Sequence, residues 1–311
     1  MTGVTRAVRT VLGDLDPAEL GVCDAHDHLF LRSPLLPGQE LDDPQAAAAE
    51  LAAYRAAGGQ AVVQWTPYGM GRRAAELVEL SRRSGVHLVA ATGLHQAVHY
   101  DRSALAELYD GLAALFVAEL TTGIGGGSGP RAGMIKVAGG YHGLDDHARR
   151  VMAAAAEAHH ATGAPIGVHH ELGTGALDVL ELLCGRLGVP PQRVVLGHLN
   201  RFPDLRVHRE AAEAGAYLAF DGPSRANHAT DWRLLDGIVA LVESGHGDRL
   251  LLGGDTTTAA ARSATGGGPG MPYLLDGLRP RLVRELGADQ ADLIFRTNPA
   301  RAFATQWRAC A

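Results

Sequence analysis

Along the chain, short runs of apolar and β-branched residues alternate with longer segments whose apolar positions recur at helical spacing. The strand-like runs are 21–28, 61–67, 87–95, 133–140, 165–171, 193–200, 216–223 and 250–257. The helix-like segments that follow them are 44–58, 72–84, 102–122, 145–162, 174–187, 204–214, 231–244 and 273–287. Most of the strand-like runs are apolar on both faces, as buried parallel strands are. Eight strands and eight helices in strict alternation predict one α/β domain over residues 1–311, a (β/α)8 TIM barrel rather than an open dinucleotide-binding sheet. No GxGxxG follows the first run. The glycine-rich stretch 122–133 comes before a strand, so it reads as a mobile loop and not as a phosphate cradle. A second such stretch, 263–272, follows the last strand and is read as a lid or substrate loop.

Composition changes this picture in two ways. It excludes partners: a net charge of −6 without a basic block argues against nucleic acid, and no apolar run is long enough to span a membrane. The N-terminus carries no apolar signal segment, and Cys23, Cys184 and Cys310 are far apart with no CxxC. A cytoplasmic, reducing location is therefore expected, with Cys23 read as a small core residue. Composition also singles out one side chain. Lys136 is the only lysine in a chain whose Lys and Arg together number 28.

In a barrel, reactive groups collect at the C-terminal ends of strands. The first run ends in His26-Asp27-His28, where strand alternation directs both imidazoles to one face. The fourth run carries Lys136, the fifth ends in His169-His170, the sixth in His198 and the eighth in Asp255. Imidazole and carboxylate ligands suit a divalent first-row metal such as Zn2+. Each residue has a plainer reading. A lone histidine at a strand end is often a hydrogen-bonded core residue, Asp255 could cap the following helix, and Lys136 could snorkel at the barrel rim. Their collection on several strands at one end of one barrel favours the metal reading. A lysine beside metals loses its proton. A neutral amine can add CO2 and become a carbamate, an anionic ligand able to bridge two metals; a guanidinium cannot.

Several stretches carry a resemblance to the phosphotriesterase family of the amidohydrolase superfamily: VRTVLGDLDPAELGVCDAHDHL, HLVAATGLH, GMIKVAGG, PIGVHHELGTG, RVVLGHLN, LLLGGD and NPARAF, in that order over nearly the whole length. The resemblance implies a hydrolase with two divalent metal ions. His26, His28 and Asp255 would bind the more buried ion, His169 and His198 the more exposed one, and carboxylated Lys136 would bridge them with a hydroxide. That hydroxide would attack a lactone or similar carboxylic ester, and Asp255 would take its proton. Alternatives within the same site are an amide, carbamate or phosphoester; a non-catalytic binding protein is the remaining alternative. A homodimer acting on a small molecule is also implied.

The sequence departs from the family pattern in ways that bear on substrate. The middle residue of the HxH, usually Glu, is Asp27. No His follows Asp221, and Asn200-Arg201 stands where phosphotriesterases carry a relay carboxylate. Lactonase-type members have ATGxY where this chain has ATGLH, which puts His95 at the tyrosine position. His95, Trp65, Arg225 and His228 are therefore candidate substrate contacts. The competing readings are mouth lining for His95, core packing for Trp65 and a surface role for Arg225 and His228. The role of His170 is open.

Overall fold

The computed structural model describes residues 6–127, 129–222 and 230–308. A short hairpin, β1 (Ala7–Thr10) and β2 (Gly13–Leu15), precedes eight parallel strands. These are β3 (Cys23–Asp27), β4 (Ala61–Gln64), β5 (His87–Gly93), β6 (Met134–Ala138), β7 (Ile166–His169), β8 (Val194–Leu196), β9 (Tyr217–Asp221) and β10 (Leu250–Gly253). Each pairs with the next in chain order. The ring closes where the Asp255 amide donates to the His26 carbonyl at 3.0 Å and the Gly254 amide donates to Asp24 Oδ1 at 3.2 Å. Gly253 permits this approach, because a Cβ there would lie 2.4 Å from the His26 carbonyl oxygen. The expected TIM barrel is thus the observed fold.

Side-chain alternation sorts the strands into two packed surfaces. Val62, Leu88, Ile135, Leu218 and Leu252 face the helices in one large apolar cluster. Val63, Val89, Met134, Ala219 and Leu251 meet in a second cluster that fills the barrel lumen. Lys136 stands two residues after Met134, and Asp221 two after Ala219, so both fall in step with the lumen face. The two histidines of β3 do not follow simple alternation. Cys23 and Ala25 belong to the lumen cluster, so a regular strand would turn His26 and His28 outward. The pairing of β3 with β4 shifts register between Asp24 and Asp27. That irregularity re-aims both imidazoles into the mouth.

Some expected elements differ. The helix expected over 102–122 is interrupted by a 3-10 turn at Tyr109–Gly111, ahead of a second helix at Leu112–Thr121. The 174–187 segment passes from an α-helix at Ala176–Leu180 into a π-turn at Glu181–Arg186. The stretch 263–272 is not a free lid. The fully buried Glu50 carboxylate accepts from Ser263 Oγ, the Ala264 amide and the Met271 amide at 2.9–3.1 Å, pinning both ends of it. The glycine-rich stretch 122–133 lies before β6, at the barrel end opposite the metal-type residues, and Ile124 ties it together by donating to the Pro130 carbonyl at 2.9 Å. Beyond the expected set, β11 (Ala304–Thr305) pairs antiparallel with β1, and Val8, Phe303 and Ala304 plug that end of the lumen. Among the described residues no helix is long and apolar enough to cross a membrane.

Candidate metal centre

His26, His28, Lys136, His169, His198 and Asp255 line one cavity of about 210 Å3 at the C-terminal ends of the strands. A larger groove of about 810 Å3 lies beside it, along Gln96, Tyr109 and His147, but contains none of these six groups. Ligand atoms of His26, His198 and Asp255 lie within 4.8 Å of one another. Asp255 Oδ1 is 3.6 Å from His26 Nε2 and 3.5 Å from His28 Nε2. Bonds of about 2.0–2.1 Å in a tetrahedral zinc site place ligand atoms roughly 3.3–3.4 Å apart. Asp255 Oδ1 is therefore spaced from each of the His26 and His28 imidazoles as two ligands of one ion are, while the group whose ligand atoms all lie mutually close is His26, His198 and Asp255. The His169 ring lies 4.5 Å from that of His198, at the outer side of the cluster. His198 and Asp255 both hold left-handed backbone, φ 63° and 49°, which costs energy for a non-glycine residue and is concentrated at functional sites.

The nitrogens that point away from the cavity are anchored. Thr66 Oγ1 donates its only proton to the Phe30 carbonyl at 2.5 Å. His28 Nδ1, 2.8 Å from the same oxygen, must therefore donate to it, which leaves the lone pair on Nε2. His198 Nδ1 donates to Asp221 Oδ2 at 2.5 Å. His26 Nδ1 lies 3.1 Å from Asp221 Oδ1, close enough for an ion pair but not aligned as a hydrogen bond. His169 Nε2 lies 3.2 Å from Glu171 Oε2, so its free lone pair is on Nδ1. A metal site needs such outer partners to orient its imidazoles.

Burial pushes Lys136 down to about 7, against the pull of Asp255 in the opposite sense. Its amine is thus neutral in a large part of the population at neutral pH. Gly93 carries φ +104° beside it, and a Cβ there would meet the Lys136 carbonyl oxygen at 2.0 Å, so this neighbour must be glycine. Burial opposes ionisation of Asp255, yet Arg201 and His198 hold its carboxyl well below the usual carboxylate range. Burial likewise keeps His28, His169 and His198 from protonating, with His169 down to about 4. Neutral imidazoles and an ionised carboxylate are the states that bind a cation.

His95 lines the same cavity, 4.5 Å from the His169 ring. Its Nδ1 accepts from the Gln96 amide at 2.7 Å, so Nε2 carries the proton in the neutral ring. His170 turns away, donating from Nδ1 to the Thr174 carbonyl at 2.8 Å. Trp65 corrects an expectation, because it does not reach the cavity. It is fully buried in the lumen, donates to the Ala25 carbonyl at 2.8 Å, and stacks under His26 with centroids 4.0 Å apart. Arg225 and His228 lie outside the described residues. Four partners escaped the sequence reading. Asp221 was legible as the last residue of β9, in step with Tyr217 and Ala219. Thr66 and Glu171 had no pattern to mark them, and Arg201 stood out only as part of the pair at the relay position. Arg201 lines the cavity, contacts Asp255 Oδ2, and lies 3.4 Å from Asp221 Oδ2.

Comparison with known proteins shows the family. The family model "Phosphotriesterase family" matches residues 6–303. A phospho-furanose lactonase of Mycoplasmopsis synoviae is 30% identical, over 95% of this chain and 91% of its own. An N-acetyltaurine hydrolase of Rattus norvegicus is 27% identical, over 96% and 98% of the two chains. The crystal structure of a lactonase from Listeria monocytogenes superimposes with a TM-score of 0.89 at 27% identity, covering 96% of this chain and 98% of that one. With a family match over nearly its whole length, on a barrel with a His/Asp cluster at its mouth, the chain belongs to the phosphotriesterase family.

Proposed function

We propose that the protein is a binuclear metal-dependent lactonase. The observation that carries the reading is the cavity itself, in which four imidazoles, one carboxylate and the single lysine converge, with Asp255 Oδ1 facing His26 and His28 while Arg201 holds Oδ2. His26, His28 and Asp255 would hold the buried ion, and His169 and His198 the exposed one. The neutral Lys136 amine would add CO2 and release one proton to solvent, and the resulting anionic carbamate would serve both positions as a ligand. When bound, two such ions supply a nucleophile from water at neutral pH and polarise a carbonyl oxygen.

The chain's own residues do the rest. Asp255, kept ionised by Arg201 and His198, receives a proton on its carboxylate. His95 offers an Nε2 proton to the substrate. Leu31, Leu36 and Met70 give the cavity an apolar side. Asn200 weighs against a phosphotriester. Its side chain both accepts from the Asp221 amide at 3.0 Å and donates to the Asp221 carbonyl at 3.1 Å, so it forms a structural clamp and no carboxylate relay. The lactonase names among the relatives support this bond class. The N-acetyltaurine hydrolase relatives favour an amide as the second reading.

The test is metal content followed by a panel of γ- and δ-lactones, simple esters, N-acyl amides and a phosphotriester, with Lys136→Ala as control. Two equivalents of metal and lactone turnover that is lost in the variant are expected. Equal rates for the two proteins, or a preference for the amides, would overturn the lactonase assignment.

A further inference from the structure

The four candidate imidazoles differ in what holds their outer nitrogens. Those of His26, His28 and His198 are met by Asp221 or Thr66, all buried in the barrel. The outer nitrogen of His169 is met by Glu171, two residues along the chain and part of a 3-10 turn, with a side chain 39% exposed. Glu171 is itself fixed. Gln96 reaches across from the loop after β5 and donates to Glu171 Oε2 at 3.1 Å and to the Gly139 carbonyl at 2.9 Å. The turn is held from the other side too, since Thr174 Oγ1 donates to the Glu171 carbonyl at 2.9 Å. Gln96 and Glu171 thus join the loops after β5, β6 and β7 around one histidine.

We infer that Glu171, held by Gln96, is the positioning residue of the exposed metal position, fixing His169 with its proton on Nε2 and its lone pair on Nδ1. The inference rests on the binuclear reading for its consequence, although the tautomer it predicts exists without metal. A carboxylate accepting from the outer nitrogen of a ligand imidazole fixes the ring and raises its basicity, and loss of such a partner weakens metal binding by about 10–100-fold. Because His169 is the one candidate ligand that Glu171 meets, the effect falls on one of the two positions. The buried position, anchored through Thr66 and Asp221, keeps its affinity.

The experiment compares wild type with Glu171→Ala, Glu171→Gln and Gln96→Ala. Glu171 is half exposed in a loop, and thermal melts of the metal-free proteins check that each variant folds. The first readout is the nitrogen-15 spectrum of metal-free protein, with His169→Asn used only to assign the resonance. His169 is expected as the Nε2-protonated tautomer in wild type and in Glu171→Gln, whose amide oxygen still accepts, and as a tautomer mixture in Glu171→Ala. The second is a Co2+ titration against a chelator. Glu171→Ala is expected to lose about 10–100-fold at one position and nothing at the other, with Gln96→Ala intermediate. A single His169 tautomer in Glu171→Ala, or two wild-type affinities in that variant, overturns the inference while the binuclear reading stands. Fewer than two ions in wild type with the tautomer shift present overturns the binuclear reading, and the positioning of His169 by Glu171 survives it.

Discussion

The Asp221 carboxylate stands 2.5 Å from His198 Nδ1, at the closed end of the cavity where β9 delivers it. Its second oxygen lies 3.1 Å from His26 Nδ1. One buried carboxylate therefore faces one candidate ligand of each metal position, bonding His198 and lying beside His26. Replacing it affects both ions together, unlike Glu171. Asp221→Ala is expected to lower metal affinity at both positions by about 10–100-fold. A chelator-competition titration that found only one position weakened would contradict this arrangement.

The proton of Thr66 is committed to the Phe30 carbonyl, so His28 has one available tautomer. Thr66→Val keeps the volume and removes the bonds to His28, Phe30 and Gln64, leaving the buried His28 N–H without an acceptor while the Phe30 carbonyl keeps Gln64 Nε2 as a donor. Metal-free protein should lose about 1–3 kcal/mol of unfolding free energy. Urea denaturation measures it, and an unchanged midpoint would show that another acceptor serves His28.

Glu50 gathers the two ends of the 263–271 stretch around one buried carboxylate. Glu50→Ala orphans two backbone amides and opens a cavity. A loss of about 2–4 kcal/mol is expected, together with faster hydrogen exchange at Ala264 and Met271. Exchange that is already fast in wild type would restore the picture of a mobile lid.

Acid should destabilise the fold through histidines buried as neutral rings. His208 is 2% exposed and donates from Nε2 to the Leu199 carbonyl at 3.0 Å; burial pulls it down to about 4. The unfolded imidazole takes up its proton near pH 6.5, the folded one only near 4. Between those values the unfolded state binds more protons, so stability falls as pH falls, by at most about 1.4 kcal/mol per pH unit for this group. His208→Gln should shrink the stability difference between pH 7 and pH 5 by about 1–2 kcal/mol. Urea midpoints at the two pH values measure it, and an unchanged difference would mean that other histidines set the slope.

Lys136 gives a prediction about assembly. If its amine forms a carbamate, metal uptake by metal-free protein should accelerate when bicarbonate is added. Lys136→Arg should show no such response, because a guanidinium stays protonated. Uptake by wild type that is indifferent to bicarbonate would remove the carbamate from the site.

The pattern of apolar runs alone determined the barrel, because eight buried strands alternating with eight amphipathic helices have few other ways to bury their faces. The strand ends then located the six groups that the structure gathers in one cavity, since the C-terminal ends of parallel strands must share one mouth. The same reasoning misplaced Trp65. A side chain at a strand end can point into the lumen or the mouth, and only the packing against Ala25 and His26 decided between them. It also predicted the right direction for His26 and His28 for the wrong reason, as the register shift in β3 is invisible to alternation. Asp221, Thr66, Glu171 and Arg201 became partners only through tertiary contacts. An outer hydrogen-bond partner need share neither motif nor spacing with the ligand it holds; it needs only to arrive within about 3 Å of the right nitrogen. The sequence by itself thus determined which chemistry gathers at the barrel mouth. The tertiary structure decided which nitrogen of His28, His169 and His198 is free to perform it.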